Sequence, residues 1–125
     1  MFRKSKQFAY AGDVSKTPLP YSPVRGSTTG RPLMAALDLL GRRWSLRLLW
    51  ELRAGALGAR ALLARCDGLS SSVLYERLRD LERAGLVAKS TSNKYELTAL
   101  GASLGRAMNP LDAWASKWAH VVGER

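Results

Sequence analysis

The chain has 125 residues and carries 20 Lys and Arg against 10 Asp and Glu, a formal net charge of +10 and a pI of about 10.5. This length suits one domain, and so basic a balance is typical of proteins that bind polyanions. The single Cys excludes an intrachain disulfide. With one Cys and one His in the whole sequence, a metal cluster of ordinary ligand spacing is also excluded. No apolar run approaches the roughly 18 residues of a membrane-spanning helix.

Residues 1–30 differ in composition from the rest of the chain, with three Pro, three Gly, five cations, one acid and no helical or strand periodicity. We predict a flexible basic arm over 1–30, without a secretory signal, and a structured domain over 31–125. The alternative is that aromatic side chains dock the arm onto the domain or onto a second copy. These side chains are Phe2, Phe8, Tyr10 and Tyr21.

Two helices open the predicted domain. Pro32 suits a first helical turn, and apolar residues recur at helical spacing up to Leu40, after which Gly41 ends the helix. A second helix is predicted from about Trp44 to Arg53. Trp50 lies off its apolar stripe, which favours a place in the core or at an interface, with the wall of a small pocket as the alternative.

A helix-turn-helix follows. A short third helix is predicted from about Ala59 to Cys66, then an Asp-Gly turn, then a longer amphipathic helix. Ser70 can cap this longer helix by accepting a hydrogen bond from a first-turn N–H. An apolar stripe faces inward along it, and Gly85 ends it. The stripe consists of Leu74, Leu78 and Leu81.

The outward face of this helix carries groups that can contact base edges and phosphates, as a recognition helix does. The predicted base-contacting residues are Ser71, Ser72, Tyr75 and Arg79. Basic side chains around them are the phosphate candidates, against the alternative that helical arginines only form a solvated face. The phosphate candidates are Arg42, Arg43, Arg60, Arg77, Lys89 and Lys94.

Beyond the recognition helix the periodicity changes from 3.6 to 2, which predicts a short β-hairpin, or wing. Its strands would lie on either side of a turn at residues 90–93, with Lys89 and Lys94 near the tip. Tyr95 and Leu97 should face the core.

The last predicted helix begins after Thr98, which can cap it, and carries apolar residues at alternating spacings of four and three. Such a seam over about three heptads favours packing against a second copy of the chain, with packing on its own domain as the alternative. The predicted dimer-interface residues are Leu104, Leu111, Trp114 and Trp118. Asn109-Pro110 predicts a kink or a restart within this helix.

The chain resembles the HxlR-type regulators, relatives of the MarR-type winged helices. Gly41-Arg42-Arg43-Trp44 looks like their G-x-x-W segment, and Tyr95-Glu96-Leu97-Thr98 with Gly101 looks like their Y-x-L-T-x-x-G junction. The leucines of the recognition helix and Trp114 also match. The resemblance covers roughly residues 31–120 and implies a dimeric bacterial or archaeal transcription regulator.

The chain departs from that family at three places. Arg31-Pro32 replaces the Cys-Pro whose thiol can act as a redox sensor, which excludes thiol sensing at that position. Gly58-Ala59-Arg60-Ala61-Leu62 replaces the R-F-x-E-L segment, although Arg60 lies close enough to take over a phosphate contact. The wing is also short.

The remaining thiol, Cys66, occupies a slot that favours an apolar side chain, so we expect it to be buried and inert rather than a redox sensor. The sequence has no nucleophile–base pair and no phosphate-binding glycine loop, which argues against an enzyme. We expect no metal and no cofactor.

The fold predicted is mainly α with a small β-hairpin, a winged helix-turn-helix domain with a C-terminal dimerisation helix. The predicted function is that of a cytoplasmic, nucleoid-associated homodimer that binds a pseudo-palindromic site on double-stranded DNA, without a membrane partner. A small-molecule effector of unknown identity stays open. Two alternatives are a winged-helix module that binds an acidic protein and a non-specific basic DNA-binding protein.

Overall fold

A computed structural model describes residues 17–123 as five helices and three short strands. The helices are α1 (Pro32–Leu40), α2 (Ser45–Leu52), α3 (Ala59–Arg65), α4 (Ser71–Arg83) and α5 (Ala99–Val122); the strands are β1 (Leu57–Gly58), β2 (Val87–Lys89) and β3 (Lys94–Leu97). The predicted order of helix, helix, helix-turn-helix, wing and helix is confirmed. No helix in this part of the chain has the length and apolar character needed to cross a membrane.

The core lies where α2 and α4 meet beneath the sheet. Fully buried leucines come from α2, from α3 and from the inward stripe of α4, the last of which the spacing predicted. They are Leu48, Leu49, Leu52, Leu62, Leu74, Leu78 and Leu81. Burying one such side chain contributes about 1.5–3 kcal/mol to the free energy of folding. This cluster is therefore the main source of stability of the helix-turn-helix.

The sheet has one strand more than the predicted hairpin. β1 pairs antiparallel with β3, so the strand order is β1-β3-β2. Leu57 lies opposite Tyr95, which is buried at the centre of the sheet as expected. A two-residue strand is too short to show the alternation by which strands are recognised, and this is why the sequence predicted a hairpin alone.

Residues 17–30 form the second half of the predicted flexible arm. In the structure these residues pack on the domain, contrary to that prediction. Val24 is buried, and its backbone pairs with Ser27 in a tight turn. The Thr17 hydroxyl donates a hydrogen bond of 2.6 Å to Asp80 of α4, and the Arg25 N–H donates to Asp38 of α1 at 3.0 Å. Residues 1–16, with most of the arm's predicted basic groups, lie outside the described residues.

The last helix runs without a restart through Asn109 and Pro110, contrary to one of the predicted outcomes there. Pro110 is exposed, and its missing N–H removes one helical hydrogen bond, which a 24-residue helix tolerates. The predicted cap is confirmed, because the Thr98 hydroxyl accepts from the Gly101 N–H at 3.0 Å. The same hydroxyl donates to the Gly85 carbonyl at 2.6 Å and so ties the start of α5 to the end of α4.

Cys66 lies in the core directly after α3 and is fully buried. Burial raises the pKa of its thiol because the thiolate would lose its hydration, while the positive charge of Arg47 partly offsets the rise and Glu51 adds to it. The protonated thiol is a poor nucleophile. This environment supports the inert thiol that the sequence predicted.

Replacing Cys66 by Ser should lower the free energy of unfolding by about 1–3 kcal/mol at pH 7, because a hydroxyl is buried in place of a thiol. The gap to the wild type should narrow above the unfolded thiol's pKa of about 8.5. There the native thiol still holds a proton that the unfolded chain has released, so the wild type loses stability that the variant cannot lose. Urea unfolding of both proteins from pH 7 to pH 10 measures the gap, and a gap that stays constant or widens would contradict this account.

Candidate nucleic-acid interface

The recognition helix α4 begins at the predicted place. Gly68, with φ of +91°, turns the chain after α3, and the Leu69 N–H bonds back to the Cys66 carbonyl at 3.0 Å. The Ser70 side chain then accepts from the Val73 N–H at 3.3 Å, the cap that the sequence predicted. The turn and the cap together fix where the outward face of α4 begins.

All four predicted base-contacting residues lie on the surface of α4. Ser71, Tyr75 and Arg79 follow at intervals of four and therefore form one stripe, with Ser72 beside it. Tyr75 is 45% exposed although its ring is large. The buried leucines lie roughly a quarter turn away around the helix axis, and the four polar residues stay on the exposed side.

Four of the six phosphate candidates are exposed: Arg43, Arg60, Lys89 and Lys94. Arg43 lies in the turn before α2, Arg60 in the first turn of α3, and the two lysines at the facing ends of β2 and β3. The Lys89 ammonium lies 5.6 Å from the centre of the Tyr95 ring. The tip between the lysines is short, and the Ser90 hydroxyl accepts there from the N–H groups of Ser92 and Lys94.

The structure removes Arg42 from the phosphate candidates. Its side chain is only 9% exposed, and its Nη1 lies 3.5 Å from Oδ2 of Asp80, a buried residue of α4. Asp80 also accepts from Thr17, so the carboxylate joins α4 to two other parts of the chain. Sequence reasoning missed Asp80, because it lies roughly 100° around the helix from Leu81, off the leucine stripe, and its burial depends on Arg42 and Thr17, which are distant in the sequence.

The Arg77 side chain is also used mainly in contacts within the domain. Its side chain is 17% exposed, its Nε donates to the Arg43 carbonyl at 2.8 Å, and its Nη1 lies 3.2 Å from the Glu76 carboxylate. These bonds hold the turn before α2 against α4. We therefore expect Arg77 to place Arg43 beside the helix more than to bind a phosphate itself.

The predicted dimer residues divide into two groups. Leu104 packs against the core of its own domain, whereas Leu111, Trp114 and Trp118 are more than half exposed. The two tryptophan rings are stacked, with centroids 5.6 Å apart and planes inclined by 8°. Stacking of exposed rings forms one continuous apolar surface on the second half of α5.

An apolar groove lies between α1, the first half of α5 and the Pro18–Pro20 segment, with a volume of about 390 Å³. Aliphatic side chains form most of its wall, among them Leu39, Leu40, Leu86 and Leu104. Its volume lies in the range of small-molecule sites.

Among the described residues, no group of three or more His, Cys, Asp or Glu is arranged to hold a metal ion.

Comparison with known proteins finds similarity to transcriptional regulators of the helix-turn-helix type. The family model described as HxlR-like helix-turn-helix matches residues 39–122. The HTH-type transcriptional regulator YvaP of Bacillus subtilis is 30% identical over 89 residues, which are 66% of this chain and 82% of that protein.

Solved structures of transcriptional regulators are also similar to this chain in sequence and fold. The quinone-bound YodB from B. subtilis is 30% identical, with a TM-score of 0.64 over 69% of this chain and 97% of that one. A possible HxlR family transcriptional factor from Thermoplasma volcanium GSS1 is 27% identical, with a TM-score of 0.63 over 71% of this chain and 85% of that one.

Proposed function

The chain belongs to the HxlR-like helix-turn-helix family of transcriptional regulators, and on this premise we propose that it is a homodimer that binds a specific, pseudo-palindromic DNA site. It acts by binding rather than by catalysis, on double-stranded DNA in the cytoplasm. In the dimer two copies of α4 enter successive major grooves about 34–36 Å apart.

The observation that carries the proposal is the outward face of α4. Hydroxyls, a phenol and a guanidinium project from it, and each of these groups can donate or accept hydrogen bonds at base edges. Arg79, one turn beyond Tyr75, has the bidentate geometry that suits guanine. The exposed cations are the proposed phosphate contacts, which would set the orientation of the helix without selecting a sequence. They are Arg43, Arg60, Lys89 and Lys94.

The same face argues against a protein-interaction module. A helix that binds a protein partner shows apolar anchors at the centre of its interface. On α4 the leucines are buried, and Tyr75 is the one large hydrophobic side chain exposed along the helix. A non-specific DNA-binding protein stays as the alternative that the binding experiment below distinguishes.

The second half of α5 supports the proposed dimer. Leu111, Trp114 and Trp118 form an apolar stripe on the part of α5 beyond Met108, where all described residues except Ala115 are exposed, and such an exposed stripe is typical of an interaction site. A second copy supplies an identical stripe, so the two can pack around a twofold axis.

We also include a small-molecule effector in the proposal. The relative YodB has been crystallised with a quinone bound. In this chain, the groove beneath Pro18–Pro20 offers an apolar wall and a suitable volume. A neutral, apolar molecule fits that lining best, because the wall offers few polar partners.

Two substitutions separate base contacts from phosphate contacts. Arg79→Ala should weaken binding to the selected site and relax specificity by about 1–3 kcal/mol, because it removes a base contact. Lys94→Ala should weaken binding to all duplexes alike and make the salt dependence shallower by about 0.9 in log K per log[salt] for each phosphate that the variant no longer neutralises. Binding titrations on a selected and a scrambled duplex at several salt concentrations measure both effects.

Arg83→Ala is the matched control, since it removes an exposed arginine at the far end of α4. It should leave the ratio of the two affinities unchanged. Equal affinity of the wild type for selected and scrambled duplexes would contradict specific recognition and favour the non-specific alternative.

The double variant Trp114→Ala/Trp118→Ala should be monomeric at micromolar concentration. Burying each ring contributes about 1.5–3 kcal/mol, so losing both should weaken the dimer by at least about 100-fold. Sedimentation equilibrium measures the change. Asp112→Ala/Ser116→Ala, on the other side of the same turns, should stay dimeric. A wild type that sediments as a monomer would contradict the proposed dimer.

A further inference from the structure

Arg53 follows α2 directly and lies where the winged domain meets α5. Its guanidinium carbon lies 3.3 Å from the centre of the Trp50 ring, a close cation–π stack. Its Nη1 donates to the Asn109 side-chain oxygen of α5 at 3.4 Å, and its Nε donates to the Trp50 carbonyl at 3.4 Å. We call Trp50, Arg53 and Asn109 the Arg53 clamp.

The aliphatic stem of Arg53 also packs on α5. A Cβ added at Gly105 would lie 3.6 Å from Cγ and 3.8 Å from Cδ of Arg53, which is van der Waals distance. Arg53 therefore meets one side of α5 along a whole turn, from Gly105 to Asn109. A Lys at position 53 would keep the charge and lose the planar group that stacks on Trp50 and reaches Asn109 together.

The clamp marks the place where α5 leaves the domain. Met108 is the last buried residue of the helix, and from Asn109 to Gly123 all residues are exposed except the half-buried Ala115. The proposed dimer stripe lies wholly within this projecting part. The angle at which α5 leaves the domain is thus fixed on the domain side, next to Asn109.

We propose that the Arg53 clamp sets this angle, and that it thereby sets the spacing of half-sites that the dimer accepts. Arg53 is then a positioning residue for DNA specificity, which acts through α5 rather than through a base or phosphate contact of its own. The inference rests on the proposed function, because it needs a dimer held by the projecting part of α5 and a DNA site with two halves.

The dimensions support such a role. The projecting part from Asn109 to Val122 is about 20 Å long at 1.5 Å per residue. A swing of about 10° at the clamp moves its far end by about 3.5 Å, which equals one base-pair step of about 3.4 Å. Adding one base pair also turns a half-site by about a tenth of a turn around the duplex. A small change of angle is therefore enough to alter the preferred spacing.

The test uses the full chain and duplexes that carry the selected half-sites at the preferred spacing, one base pair shorter and one base pair longer. The wild type should prefer one spacing. Arg53→Ala should flatten that preference by about fivefold or move it by one base pair, while its affinity for a single half-site stays unchanged. Asn109→Ala, an exposed change, should act in the same direction. Arg106→Ala removes an exposed positive charge from the same helix and should keep the wild-type preference.

The outcomes distinguish a failure of the proposed dimer on DNA from a failure of the Arg53 clamp. A wild type that binds all spacings equally contradicts the proposed function. A wild type with a sharp preference that both Arg53→Ala and Asn109→Ala retain to within about twofold overturns the clamp alone. If circular dichroism shows that Arg53→Ala does not fold, Asn109→Ala decides, and an unchanged preference in that variant also overturns the clamp.

Discussion

One buried stripe on the recognition helix fixes which of its side chains are exposed at the surface of the domain. Leu74, Leu78 and Leu81 are at most 1% exposed, so α4 can rotate about its axis only by exposing them to water. At about 1.5–3 kcal/mol for each side chain, such a rotation would cost much of the stability of a small domain. The polar stripe, roughly a quarter turn away around the helix, is therefore held at the surface by the packing of the leucines. The helix thus has the fixed orientation that the proposed DNA contact requires.

Asp80 adds a polar restraint to this packing. It is a buried carboxylate on the recognition helix. It forms an ion pair with Arg42, which precedes α2, and accepts a hydrogen bond from Thr17 near the start of the described chain. A buried ion pair contributes little net stability, but removing one partner is costly because a charge is left without compensation. The pair thus connects α4 to the turn before α2 and, through Thr17, to the start of the described chain. Through Thr17, the segment that borders the apolar groove is connected to the recognition helix.

The sequence was sufficient for features that depend on local spacing. The helices, the Ser70 and Thr98 caps and the outward face of α4 follow from periodicity and capping chemistry, and all were predicted. Features that depend on distant contacts were missed. The Thr17–Asp80 bond joins residues 63 positions apart, and the burial of Arg42 depends on that same carboxylate. Trp44, which precedes α2 with φ of +78°, adopts a backbone conformation that no propensity would assign to a bulky residue. The base and phosphate contacts of the exposed side chains stay predictions.

Selection of bound sites from a random duplex library, followed by sequencing, tests the central claim most directly. A dimer that presents two copies of α4 should enrich a twofold-symmetric motif whose half-site centres lie about 10–10.5 base pairs apart. Base preferences should be strongest at the positions facing Tyr75 and Arg79, and Arg79→Ala should relax them there. Enrichment of no motif, or of a single asymmetric half-site bound by a monomer, would contradict the account.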